Sequence, residues 1–173
     1  MFTCNKRLIN KYMKYFSTFL EDFSETKEID ITVYCDIKIF EWLISYVHQR
    51  EKLIRNGKLV GFASKHIVYR KRSDEEKKNE KTTEQSHGQP VLDLKNVISV
   101  LISSEFLSIQ ELVQESISYV ISNLHDIVRL PIDMNCLSDN LVLQIAEQLP
   151  MDKLNSLYDK RDKLTSRLFK AKL

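Results

Sequence analysis

Glycine and proline are scarce, three of each in 173 residues, and this scarcity excludes most turn-rich architectures. A sandwich or barrel needs a turn signal every ~8–12 residues, so helices joined by few tight turns are expected instead. Cysteine is equally rare. Cys4, Cys35 and Cys136 are odd in number and far apart, which excludes a disulfide framework and a C-x-x-C zinc or redox motif. They read as reduced, buried small side chains of an intracellular protein. Neither sign of charge dominates: 26 basic and 24 acidic side chains leave a formal net charge of +2, too little for a chain-wide field that would draw in nucleic acid. No apolar run approaches the ~20 residues of a membrane span, and Asn5, Lys6 and Arg7 break any signal-peptide core. A soluble intracellular chain is the expectation. Hydrophobic residues make up 43% of it, enough for the single buried core of one domain.

The densest apolar periodicity lies between Pro90 and Leu124. Asp93 is placed to cap a first helix carrying Val97, Ile98, Leu101 and Ile102. Ser108 followed by Glu111 reads as a capping box for a second helix, whose inward stripe is Leu112, Val113, Ile117, Val120, Ile121 and Leu124. Upstream, residues 5–23 place Ile9, Tyr12, Met13, Phe16, Phe19, Leu20 and Phe23 on one face of an amphipathic helix, a core stripe rather than a ligand box. Residues 29–35 alternate Ile29, Ile31, Val33 and Cys35 against Asp30, Thr32 and Tyr34, the period of a half-buried strand. Asp36 then caps a helix with Ile37, Phe40, Leu43, Ile44 and Val47 inward and Trp42 and Tyr46 nearby. Asp30 and Asp36 read as a strand-face residue and a cap, not as an acid/base pair.

From residue 50 the character changes. Arg70 to Lys81 holds six basic and four acidic residues and no aromatic, so 70–89 is expected to be a disordered insertion. Its cations also suggest an import signal, but the interleaved acids favour a solvated linker. Lys58 to Tyr69 has strand-like content of unassigned role. Past Pro131, Ser138 is an expected N-cap, with Leu141, Val142, Ile145 and Leu149 lining a further helix. Asp152 opens the last one, where Leu154, Leu157, Leu164 and Leu168 repeat on one face while Lys160, Arg161, Lys163, Arg167, Lys170 and Lys172 crowd the outer face and end. A basic amphipathic helix docks on nucleic acid, anionic membrane or a partner groove. Without aromatics among the cations, a solvated face on a packing helix is favoured.

No constellation for catalysis or metal binding emerges. His48, His66, His87 and His125 stand far apart and no H-x-x-x-H occurs. His125 and Cys136 lack an oxyanion loop or orienting acid, and Gly57-Lys58 and Gly61 lack a phosphate-loop pattern. No enzyme activity and no cofactor are expected.

Three ordered blocks resemble one family. FTCNKRLINKYMKYF, from Phe2 to Phe16, resembles the "F.AHK..LAA.S.YF" segment of BTB/POZ domains, with Phe2, Lys6, Leu8, Ile9, Tyr15 and Phe16 matching. Asn5 stands where many members have His, and Met13-Lys14 replaces Ser-Pro. EIDITVYCDIKIFEWLISYV resembles the family's "V.L.DV....F..LL.FIY" strand and helix. The order Asn96-Val97, an apolar run to Ile102, Glu105-Phe106-Leu107, Ile109, Leu112-Val113 and Asn123-Leu124 resembles its helical core. Among such proteins, these blocks with the stretch around Met134 to Leu137 and the lysine-rich DKRDKLTSRLFKAKL look most like the SANT- and BTB-domain family of class-switch recombination regulators.

That resemblance implies an α+β, mainly helical, Skp-like BTB/POZ fold with a small sheet and helical hairpins. In this register residues 1–4 end the second strand of the opening hairpin, and its first strand is missing; either the chain is a fragment or another segment covers the sheet edge. The implied map is a BTB domain over 2–124, interrupted by an insertion at about 50–89, and a helical extension over 125–173. Family members lack catalysis and commonly dimerise through the opening helices, which points to Leu8, Ile9, Tyr12 and Met13 as interface residues and Lys6 as the basic residue of the dimer groove. An apolar-x-Glu motif marks cullin-binding relatives, and Phe19-Leu20-Glu21 stands in that place, making Phe19 and Glu21 candidate cullin contacts. The partners so implied are a second copy, corepressor-type proteins and, alternatively, a cullin, with no nucleic acid or membrane. The location implied is nuclear or cytoplasmic, the nucleus favoured.

Overall fold

The structure, a computed structural model, describes residues 4–20, 31–57, 90–157 and 163–173. Met1 to Thr3, Glu21, Phe23, Ile29, Asp30, Lys58 to Tyr69, the 70–89 insertion, Lys160 and Arg161 lie outside the described residues. Among the described residues every regular element is helical.

Helix α1 (Lys6–Tyr12) starts at Asn5, whose side-chain carbonyl accepts from the amides of Arg7 and Leu8 at 3.0 and 3.4 Å. The single helix expected over 5–23 is not formed. Met13 leaves helical geometry (φ −116°, ψ 82°), a 3-10 turn follows over Lys14–Phe16, and α2 spans Ser17–Leu20. The break has a partner: the Tyr15 amide donates to the Leu107 carbonyl at 3.3 Å, at the end of another helix. It brings Tyr12, Met13, Phe16 and Leu20 into the core and leaves Phe19 outside.

Residues 31–36 keep the expected alternation, with Ile31, Val33 and Cys35 half-buried and Thr32, Tyr34 and Asp36 exposed. They form no ladder, because a strand needs a paired neighbour, and the small sheet is absent from the described residues. Asp36 caps α3 (Ile37–Arg55) by accepting from the amides of Lys38 and Ile39. Leu43, Tyr46 and Val47 are buried on its inner face, but Ile37 is 71% exposed, since nothing described covers the first turn. The helix also runs past residue 50 to Arg55, stopping at Gly57, whose positive φ suits a residue without Cβ.

Asp93 caps the turn before the next helix rather than the helix itself, whose N-cap, Asn96, makes no side-chain cap bond. The Asp93 carboxylate accepts from the amides of Lys95 and Asn96, and the Asn96 side chain accepts from the Asp93 amide, closing the turn that leads into α4 (Val97–Phe106). The expected capping box at Ser108 is overturned. Helix α5 (Gln110–Ser122) has no side-chain cap; Ser108 instead sits at φ 58° just past the end of α4. The Ile109 amide donates to the Ser104 carbonyl and the Ser108 amide to the Glu105 carbonyl, the two bonds of a Schellman termination. Two helices joined this tightly leave no room for a separate N-cap.

After the short α6 (Leu124–Ile127) and a 3-10 turn at Met134–Cys136, α7 (Asp139–Gln148) begins where the Ser138 hydroxyl accepts from the Leu141 amide. The single helix expected from Asp152 is not formed: α8 (Met151–Asn155) holds Leu154, Leu157 follows its end, α9 (Lys163–Lys172) holds Leu164 and Leu168, and all four leucines are buried. Two of the cations expected on the solvated face point inward. The Arg167 guanidinium donates to the carbonyls of Met134 and Leu137 and to Asp139, while Lys172 donates to the carbonyls of Ala146 and Leu149, closing the end of α7. Packing runs α3 on α4, α4 on α5, α5 on α7 and α7 on α9, and one apolar cluster extends from Tyr12 to Leu168. None of the cysteines is buried as expected: Cys4 and Cys35 are half-buried, and Cys136 is exposed because it ends the surface 3-10 turn.

Candidate interaction surface

The residues singled out on α1 divide by exposure. Met13 is fully buried and Tyr12 is 6% exposed, so the chain's own core takes both, whereas Leu8 and Ile9 are half-buried and keep apolar surface. Lys6 is half-buried at the first turn. One carboxylate fastens this helix to α3: Glu51 accepts from Lys11 Nζ at 2.6 Å, Tyr12 Oη at 2.8 Å and Arg55 Nε at 3.2 Å. Those donors, Lys11 foremost, hold its carboxyl down to about 2. Burial, reinforced by the bond to Glu51, raises the Tyr12 phenol. Between α1 and the last turns of α3 lies an open groove of about 620 Å³ lined by Asn5, Arg7, Leu8, Lys11, His48, Glu51, Lys52, Arg55 and Asn56.

A second, buried polar group joins α3 to α5. Tyr46 Oη donates to Glu115 at 2.8 Å, and Arg50 Nη1 reaches Tyr46 Oη at 3.0 Å and Glu115 at 3.1 Å. Burial raises both the Tyr46 phenol and the Glu115 carboxyl. With all members bonded, the group fixes the register between the two helices.

Phe19 belongs to an aromatic patch. The Tyr15 ring packs at a tilt against Phe19, at 5.5 Å, and Phe106, at 4.7 Å, and both phenylalanines are more than two-fifths exposed. Contiguous exposed aromatics of this kind mark contact surfaces. Glu21, the other candidate contact there, lies outside the described residues.

No group of three metal-ligating side chains occurs among the described residues. His125 meets the Ser156 hydroxyl at 3.3 Å rather than Cys136. No described helix is long and apolar enough to cross a membrane.

Glu51, Arg50 and Glu115 were not singled out by sequence reasoning. Arg55 and Tyr46 are i,i+4 neighbours of Glu51 and Arg50, but the partners on other elements lie 39 to 69 positions away, beyond any local pattern. Phe106 stood in the quoted Glu105-Phe106-Leu107 string, but periodicity does not reveal that its ring faces Tyr15.

No solved structure matches the chain. The model of the family described as the SANT and BTB domain regulator of CSR, BTB domain, matches residues 1–117, ending within α5 and covering more than half of the sequence. This chain therefore belongs to that BTB family, whose domain is a protein–protein interaction module.

Proposed function

We propose that the domain is a non-enzymatic interaction module that pairs with a second copy of itself through the α1 face, in a nuclear regulator that recruits corepressor-type proteins and restrains class-switch-type recombination. The observation that carries self-association is the apolar surface left on Leu8 and Ile9, on a helix held rigidly by Met13 and Tyr12 beneath it. Lys6 at the start of the same helix supplies the basic side of the groove formed between copies. The domain map follows: a BTB unit over 2–124 with its insertion, and α7 to α9 as an extension continuous with the core. Sedimentation at micromolar concentration tests the pairing. A dimer that Leu8→Glu and Ile9→Glu dissociate is expected; a strict monomer refutes it.

A second reading, substrate adaptor for a cullin-type ubiquitin ligase, is favoured by the exposure of Phe19 beside Phe106. A pull-down with cullin compares the native chain with Phe19→Ala and Glu21→Ala. Loss of capture in both variants supports the adaptor, and no capture by the native chain ends it.

A further inference from the structure

We draw no further inference here: the strongest candidate, the aromatic patch of Tyr15, Phe19 and Phe106 where the 3-10 turn and α2 meet the end of α4, belongs to the surface already described, and nothing in the structure shows what covers it.

Discussion

Ser108 offers the sharpest test of how the central helices are joined. As an N-cap, its hydroxyl would hold an orphan amide of α5, and Ser108→Ala would cost about 1 kcal/mol whereas Ser108→Gly would cost a few tenths. The geometry places it instead at the left-handed position of the α4 termination, φ 58°, where an L-residue carries roughly 1–2 kcal/mol of strain. Glycine removes that strain but loses more chain entropy on folding, roughly 0.5–1 kcal/mol. The net expectation is that Ser108→Gly stabilises the domain by about 0.5–1 kcal/mol. Ser108→Ala should be close to neutral, since the hydroxyl caps nothing and the backbone stays strained. For a chain of this length 1 kcal/mol shifts Tm by about 2–4 °C, so urea midpoints at pH 7 with parallel melts resolve the difference. A loss near 1 kcal/mol in Ser108→Ala, together with no gain in Ser108→Gly, would refute the reasoning.

Other perturbations separate the remaining features. Arg167→Ala should cost roughly 2–4 kcal/mol in urea unfolding, because it strands the Met134 and Leu137 carbonyls; Arg167→Lys should recover only part, lacking the fork that reaches both. Ending the chain at Pro150 removes four buried leucines worth roughly 1.5–3 kcal/mol each, a loss comparable with a whole domain's stability, so light scattering should register aggregation at ambient temperature. Glu51 gives a pH signature. Its folded pKa lies below the unfolded one, so its contribution is present above about 4.5 and disappears as pH falls toward 2. Glu51→Gln should therefore be less stable than the parent near neutrality and indistinguishable from it near pH 2; a constant difference in denaturation midpoints across that range would contradict the assignment.

Much of the helical framework was legible because it depends on neighbours in the chain. Asp36, Asp93 and Ser138 cap amides two or three residues ahead, and the stripes of α5 and α7 follow from a period of 3.6. The family resemblance was legible for the same reason, as ordered strings of core residues, and the matching family model, over residues 1–117, spans the first two blocks and most of the third. What tertiary structure decided were the places where a distant group competes with a local rule. Met13 breaks an otherwise continuous amphipathic helix because the Leu107 carbonyl takes the Tyr15 amide, and Ser108 is a terminator rather than a cap because α4 and α5 turn sharply against each other. Arg167 and Lys172, read as solvated cations, find backbone carbonyls some 23 to 33 positions away. Glu51 belongs with Lys11 and Tyr12 only once α1 lies across α3. Periodicity assigns a residue to a face, but which atoms meet on that face depends on which elements pack together, and that contact is written in the chain's three-dimensional path rather than in any local spacing.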